Sequence, residues 1–135
     1  EIEEETIMSV NFCLNQKSSK PYDSLQKEIC RQFDLYFQGN SKEFDLPFFA
    51  TGTPFQLMVW EEVMRVPYGT TISYKELAKR IAKPEASRAV GGALNKNPVP
   101  LLIPCHRIIG ADGTLKGYGG GLPIKQQLLK LEGAL

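Results

Sequence analysis

The chemistry of this chain centres on Pro104-Cys105-His106-Arg107, where the third cysteine stands directly beside the only histidine. The residues just before it, Asn97 to Ile103, include two further prolines. Because proline fixes φ and biases its preceding residue toward extended geometry, we predict an extended segment that ends in the thiol. A thiol becomes a strong nucleophile when a base or a positive neighbour lowers its pKa, and His106 and Arg107 offer both. The pattern therefore predicts a nucleophilic cysteine.

The predicted backbone limits how Cys105 and His106 can cooperate. Successive side chains leave an extended strand on opposite faces, so the thiol and the imidazole should not touch directly, and a bridging water would connect them better. The alternative is a buried structural cysteine with an unrelated histidine neighbour, which an isolated Cys-His pair would favour. The surrounding residues reverse that preference.

Composition narrows the class of protein. A chain of 135 residues that is 42% hydrophobic and 23% charged suits one globular unit or two small packed ones. Three widely spaced cysteines argue against disulfides and favour a reducing compartment, the cytoplasm or, in a eukaryote, the nucleus. With one histidine and no paired cysteines, we expect no metal site and no cofactor. No apolar run approaches a membrane span, and the acidic N-terminus lacks a secretory signal pattern.

Charge is divided unevenly along the chain. Residues 1–52 hold 5 Lys and Arg against 9 Asp and Glu, whereas residues 53–135 hold 11 against 6. The basic half carries the motifs, as expected of a region that meets a phosphate backbone. A chance imbalance on a nearly neutral protein is the alternative.

The N-terminal region predicts a strand, a helix and a link. Thr6 to Leu14 alternates loosely as a strand does, and Asp23 with Gln26 begins a helix that ends at Gly39. Its buried face is predicted at Leu25, Ile29, Phe33 and Phe37, with Cys30 packed nearby. In the link from Ser41 to Thr51, four residues are expected against a surface: Phe44, Leu46, Phe48 and Phe49.

A second helix has a clear start. Thr53 is an N-cap, Pro54 occupies the first helical position, and Gln56 completes a capping box. A buried stripe follows at Phe55, Val59, Val63 and Val66, Pro67-Tyr68-Gly69 ends it, and Trp60 is read as core.

Two short helices then predict a helix-turn-helix. Ser73 with Glu76 forms a capping box, and Pro84 starts a helix that runs to about Asn95. That second helix is rich in Gly and Ala around Arg88, so another backbone can approach closely, either a neighbouring helix or the DNA minor groove. Helical hairpins without DNA are also common.

The C-terminal residues predict a turn, a loop and a closing helix. Ala111 to Thr114 reads as the turn, and Gly117 to Gly121 surrounds Tyr118 as one wall of a pocket or as a plain connection. Pro123 starts the closing helix, near whose end stands Glu132.

Ordered motifs make this chain resemble one protein family. Asn97-Pro98-Val99-Pro100 runs into Pro104-Cys105-His106-Arg107-Ile108-Ile109-Gly110, followed by Gly117-Tyr118-Gly119-Gly120-Gly121-Leu122. Upstream, matching motifs stand in the family's order: Gly52-Thr53-Pro54-Phe55-Gln56, Val59-Trp60, Pro67-Tyr68-Gly69, Ser73-Tyr74 and Arg88-Ala89-Val90-Gly91-Gly92. From about Leu46 to Gly133 the chain resembles the O6-alkylguanine-DNA alkyltransferases, or methylated-DNA–protein-cysteine methyltransferases.

The resemblance implies an α/β fold of two domains. Residues 1–50 would form a small ribonuclease H-like α/β layer, short or truncated here, and residues 51–135 a mainly α, winged-helix-like domain with a helix-turn-helix. The implied function is to flip O6-alkylguanine, and also O4-alkylthymine, out of duplex DNA. The alkyl group then passes irreversibly to Cys105, once per molecule. The implied partner is double-stranded DNA with alkylated bases, met by a monomer away from membranes; some members carry an N-terminal zinc, but no ligand set for it occurs here.

The resemblance also assigns roles to residues. Cys105 would be the acceptor, His106 its base through a water, Glu132 the group that orients the imidazole, Tyr74 a proton donor to the purine, and Asn97 the residue that fixes the turn. DNA-binding residues would be Thr71, Ser73, Ala86, Ser87, Arg88 and Gly91, with Arg88 filling the place of the flipped base. The pocket would be lined by Val99, Pro100, Tyr118, Gly119 and Gly120. Gly119 stands where some members have Ser, which removes one pocket hydrogen bond.

Three other functions compete with this one. An alkyltransferase-like protein that only binds lesions lacks the reactive cysteine, which is present here as Cys105. A cysteine hydrolase using Cys105, His106 and Glu132 has no need of a helix-turn-helix. A transcription regulator leaves the Cys-His segment and the glycine loop unexplained.

Overall fold

The computed structural model of the protein describes residues 2–3, 6–7, 24–115 and 121–135. Its elements in chain order are β1 (Ile2–Glu3), β2 (Thr6–Ile7), α1 (Ser24–Phe37), α2 (Pro54–Val63), β3 (Ile72–Ser73), α3 (Tyr74–Arg80), α4 (Ser87–Asn95), a 3₁₀ turn (Cys105–Arg107), β4 (Ile108–Ile109) and α5 (Leu122–Leu131). β1 and β2 pair antiparallel, whereas β3 and β4 pair in parallel with Ile72 opposite Ile108. Within these described ranges, no helix is long and apolar enough to cross a membrane.

The main core lies where α2, α3 and α4 pack against one another. Val59, Val63, Leu77, Val90 and Ile108 are completely buried in it. Complete burial of one such side chain stabilises the fold by about 1.5–3 kcal/mol. The 3₁₀ turn packs on the same core, so the core sets the position of the turn relative to the three helices.

Helix α1 confirms the predicted end and part of the predicted face, since Ile29 and Phe33 pack against the core. Gly39 has a φ of +77°, the left-handed conformation that commonly follows a helix. Phe37 and Cys30 are exposed, so the prediction that both pack inward is wrong. Gln32 and Tyr36 are buried instead, because each finds hydrogen-bond partners inside: Gln32 exchanges two bonds with the backbone of Asp45.

The predicted strand from Thr6 to Leu14 and the link are confirmed only in part. Thr6–Ile7 is strand β2, and residues 8–14 lie outside the described residues. In the link, Leu46 is buried, and Phe44 and Phe48 pack against the core. Phe49 is exposed, contrary to the prediction.

Helix α2 begins as predicted. The Thr53 hydroxyl accepts from the Gln56 N–H at 3.1 Å, and the Gln56 side chain accepts from the Thr53 N–H at 3.0 Å. Trp60 is core, as predicted, and its indole N–H donates to the Ala93 carbonyl of α4 at 2.9 Å. A Cβ added at Gly52 would lie 2.7 Å from the Trp60 ring, so glycine is needed at that position.

Helices α3 and α4 pack against each other across a tight turn. The Ser73 hydroxyl caps α3 by accepting from the Glu76 N–H at 3.0 Å. Ala82, in the turn, has a φ of +60°, an uncommon conformation for a residue other than glycine. Helix α4 begins at Ser87 rather than at the predicted Pro84, and its N-cap Ala86 has no side-chain oxygen to hold the end.

The segment before Cys105 is not extended to its end, contrary to the prediction. The Ile103 N–H donates to the Val99 carbonyl at 3.0 Å, Leu101 has a φ of +74°, and Cys105–Arg107 forms the 3₁₀ turn. Prolines restrict φ and the residue before them, but they leave the ψ of intervening residues free to build local turns. The thiol and the imidazole therefore lie on a turn and not on opposite faces of a strand.

Candidate active site

Asn97 ties down the turn that carries Cys105. Its Nδ2 donates to the Ile103 carbonyl at 2.9 Å and approaches Sγ of Cys105 at 3.2 Å, while its Oδ1 accepts from the Val99 N–H at 2.9 Å. Cys105 is only 5% exposed. The sulfur is thus held by a fixed amide donor, in a place that solvent scarcely reaches.

His106 and Glu132 form a buried pair. His106 Nε2 lies 2.7 Å from Oε2 of Glu132, and both side chains are almost completely buried. Burial lowers the pKa of His106 even though the charge on Glu132 opposes it, so the imidazole is neutral near neutral pH. A carboxylate accepts only, so Nε2 carries the proton and Nδ1 is the basic nitrogen. Among the described residues, buried Nδ1 has no hydrogen-bond partner.

Arg107 forms an ion pair with the carboxylate of Glu132. It donates to both oxygens of Glu132, at 2.8 and 3.0 Å, and to the Val66 carbonyl at 2.8 Å. Although burial alone would raise it, hydrogen bonds from His106 and Arg107 hold the pKa of Glu132 at about 2. Its guanidinium is thus committed to a carboxylate and a carbonyl, and the expectation that Arg107 acts as the positive neighbour of Cys105 stays a prediction.

Tyr74, at the start of α3, lies near the thiol. Burial raises the pKa of Tyr74, and the negative charge of Cys105 raises it further. The phenol consequently keeps its proton at neutral pH. Its position and protonation suit a proton donor close to the reacting sulfur.

Lys125 is a buried residue near this site that sequence reasoning missed. It is 1% exposed, its Nζ donates to the Ile108 carbonyl at 2.6 Å, and Nζ lies 5.8 Å from the centroid of the Tyr74 ring. Burial lowers its pKa to about 8, and the charge of Cys105 opposes that shift. The signal was available: Lys125 precedes Leu128 and Leu129 by three and four positions, which places a cation on the apolar stripe of α5.

An open cavity of about 490 Å³ lies beside Tyr74. It brings together four predicted site residues: Tyr74, Ser87, Arg88 and Gly91. Four unpredicted ones complete its lining: Lys75, Asn95, Gly110 and Ala111. Cys105 is not among these lining residues, so Tyr74 connects the cavity with the buried thiol.

The remaining predicted residues lie in other surroundings. Ser73 uses its hydroxyl to cap α3, and Thr71 and Ala86 are half-buried away from the cavity lining. Val99 and Pro100 are buried in the segment that leads to the thiol turn. The pocket residues Tyr118, Gly119 and Gly120 lie outside the described residues.

The small residues of α4 leave part of its surface open. A Cβ added at Gly92 would meet nothing within 4 Å, and one at Gly91 would meet only Cε1 of Tyr74 at 3.9 Å. Arg88 is exposed and has no ion-pair partner in the described part of the chain. Close packing by a neighbouring helix therefore does not explain these glycines.

Comparison with known proteins identifies the class to which this fold and site belong. A family model described as 6-O-methylguanine DNA methyltransferase, DNA binding domain, matches residues 54–134. A methylated-DNA–protein-cysteine methyltransferase of Methanosarcina acetivorans is 46% identical over 98% of this chain and 88% of its own. The chain belongs to the methylated-DNA–protein-cysteine methyltransferase family.

Two crystal structures extend the similarity to the fold. Mycobacterium tuberculosis OGT in complex with DNA matches with a TM-score of 0.87 and 39% identity, over 98% of this chain and 84% of that one. M. tuberculosis O6-methylguanine methyltransferase matches with a TM-score of 0.76 and 46% identity over 80% of this chain. This chain spans 66% of the length of that second structure.

Proposed function

We propose that this protein repairs O6-alkylguanine, and also O4-alkylthymine, in double-stranded DNA by moving the alkyl group to its own Cys105. The thiolate sulfur attacks the alkyl carbon, a carbon–sulfur bond forms, and the bond from that carbon to O6 breaks. The electron pair returns to the purine, which leaves as guanine after it gains a proton. The product is a thioether with no route back to the thiol, so each molecule reacts once.

Activation of the thiol is assigned to His106 and Glu132. Nδ1 of His106 takes the thiol proton through a water, and Glu132 stabilises the imidazolium that forms. Support comes from the 2.7 Å contact between Nε2 and Oε2, which leaves the basic nitrogen available. Because the imidazole is neutral before reaction, it is ready to accept the proton.

Two further residues complete the proposed chemistry. Tyr74 gives the departing purine its proton, which the raised pKa of Tyr74 keeps in place until then. Asn97 fixes the sulfur through its 3.2 Å contact. By the same resemblance, we assign the lining of the base pocket to Val99, Pro100, Tyr118, Gly119 and Gly120.

DNA handling is assigned to α3 and α4 as a helix-turn-helix. An enzyme that acts on one base must take it out of the stack, at a cost of a few kcal/mol. The exposed small residues of α4 suit close approach to the minor groove, where Arg88 fills the space of the flipped base. Thr71, Ser73, Ala86, Ser87 and Gly91 would contact the duplex around it.

The domain organisation is proposed on the same resemblance. Residues 1–50 would form a ribonuclease H-like α/β layer and residues 51–135 a winged-helix-like domain that binds DNA and carries the thiol. The protein would act as a monomer, in the cytoplasm or in a eukaryotic nucleus, where its thiol stays reduced.

The observation that carries this proposal is the arrangement of Asn97, whose amide approaches the sulfur, beside buried Cys105 and the buried pair of His106 and Glu132. The test is the intact mass of the protein after incubation with a duplex that contains O6-methylguanine, against the same duplex with guanine. We expect a gain of one methyl group per molecule, mapped to Cys105, on the lesion duplex only. Binding of the lesion duplex with no gain in mass would indicate a lesion-binding protein instead.

A further inference from the structure

Tyr36 joins α1 to Glu132, which lies 96 positions further along the chain. The phenol donates a hydrogen bond of 2.5 Å to Oε2 of Glu132, the same oxygen that His106 Nε2 meets at 2.7 Å. Helix α1 lies outside the segment 54–134 that the family model matches. A contact from the N-terminal part of the chain thus ends on the oxygen that orients the imidazole.

The phenol is held in place before any substrate arrives. Tyr36 is 1% exposed, and its ring centroid lies 5.1 Å from that of Phe44, 5.4 Å from that of Phe37 and 6.1 Å from that of Tyr68. Burial, and then the hydrogen bond to Glu132, raise the pKa of Tyr36, so the phenol remains a donor at working pH. A rigid donor of this kind restricts the rotamers of the carboxylate that accepts from it.

The role of the Tyr36 phenol differs from that of the charged groups around His106. The charged groups that face His106 are Glu132 and Lys125 from the α5 region and Arg107 from the 3₁₀ turn. Arg107 binds both carboxylate oxygens and offsets the charge of Glu132. Tyr36 donates only to the oxygen that meets His106, so its hydrogen bond fixes the direction of that oxygen toward the imidazole.

We propose that Tyr36 is a positioning residue for alkyl transfer, which holds Oε2 of Glu132 against His106 and makes the N-terminal helix part of the relay. This inference rests on the proposed function, because it assigns Tyr36 to the reaction of Cys105. Without the phenol OH, the carboxylate loses a donor and can turn away from the imidazole. His106 then receives less support as it takes the thiol proton.

Tyr36→Phe tests the proposal, with Tyr68→Phe as the matched control. Each change removes one hydroxyl from the same aromatic cluster, but the Tyr68 hydroxyl donates to the Leu131 carbonyl at 3.3 Å. Alkylation of Cys105 by O6-benzylguanine and by iodoacetamide is followed by mass spectrometry across pH, below the melting temperature of every variant. We expect Tyr36→Phe to slow both reactions about tenfold, the scale of one hydrogen bond to a charged group, and to move the rise in rate to higher pH. Tyr68→Phe should match wild type.

A double-mutant cycle separates positioning from a general weakening of the fold. In a His106→Ala background, Tyr36→Phe should add little, because the imidazole that Glu132 supports is gone. A further tenfold loss there, or the same pH profile for Tyr36→Phe and Tyr68→Phe, would overturn the proposal. Wild-type protein that takes no benzyl group would overturn the proposed function, while the iodoacetamide profiles would still decide the role of Tyr36.

Discussion

The surroundings of the thiol and the surface of helix α4 differ in burial and in the pairing of their polar groups. Around Cys105, the half-buried amide of Asn97 approaches the sulfur, and the buried carboxylate of Glu132 receives donors on both oxygens. On α4, Arg88 is exposed and Gly92 faces open space. In the first region most polar groups already have partners within the protein, whereas in the second Arg88 has no ion-pair partner among the described residues.

This difference separates two kinds of variant. A change near the thiol should alter reaction with a free base and with duplex DNA alike, because the chemistry is the same in both. A change on α4 should matter only where a base stack has to be opened. The predictions for Cys105, Glu132 and Arg88 test the two sides of that division.

Cys105→Ser should abolish alkyl transfer and leave duplex affinity nearly unchanged, because sulfur is the acceptor and this side chain is almost completely buried. Intact mass and a duplex-binding titration on the same preparation measure the two properties. Transfer to Cys13 or Cys30 at a comparable rate would contradict the assignment.

Glu132→Gln should slow transfer about a hundredfold and move the rise in rate with pH to higher pH, since an amide cannot stabilise an imidazolium. It also leaves the guanidinium of Arg107 buried without a carboxylate, which costs about 3–5 kcal/mol of stability. His106→Ala should show a similar kinetic loss without that cost. Single-turnover rates and thermal melting check both, and unchanged reactivity of Cys105 in either variant would exclude the relay.

Lys125 should make the protein more stable as pH rises from about 8 toward 10.5. The folded state binds this proton less tightly than the unfolded state, so the cost of burying the cation is full below pH 8 and disappears above 10.5. The gain is on the order of 3 kcal/mol. Denaturant unfolding across this range should show the rise in wild type and in Lys130→Met, an exposed control on the same helix. If Lys125→Met shows the same rise, the buried cation is not its source.

Arg88→Ala should react with free O6-benzylguanine almost as fast as wild type, but about tenfold more slowly with duplex DNA, part of the cost of flipping. Single-turnover rates at saturating protein measure this. Lys75→Ala, at an exposed cation in the lining of the same cavity, is the control. Loss of a phosphate contact there should weaken binding and lower its salt dependence by about one charge, and excess protein should restore the rate. Equal losses on both substrates would assign Arg88 to the fold or the pocket.

The features that could be predicted from sequence are those that depend on residues close together in the chain. Thr53 caps α2, Ser73 caps α3, and Gly39 ends α1. These features depend on residues that are only three or four positions apart in the chain. The burial of Trp60 was predicted from its residue type. Such predictions hold because the local hydrogen bonds form without a partner from a distant part of the chain.

The features that could not be predicted depend on distant contacts. The partners of Glu132 lie 25, 26 and 96 positions away, so neither the commitment of Arg107 nor the burial of Tyr36 is visible locally. The spacing of apolar residues predicted that Phe37 is buried. Tyr36 is buried instead, because its hydroxyl donates a hydrogen bond to Glu132. The prolines before Cys105 restricted φ but did not specify the turn.

Trp60 gives the protein a built-in optical reporter. It is the only tryptophan of the chain, and its indole N–H is bonded to the carbonyl of Ala93 near the end of α4. Indole emission responds to the polarity and hydrogen bonding of its surroundings. A shift of α4 that lengthens the 2.9 Å bond would change that emission, so docking of α4 on a ligand can be followed in real time without a label.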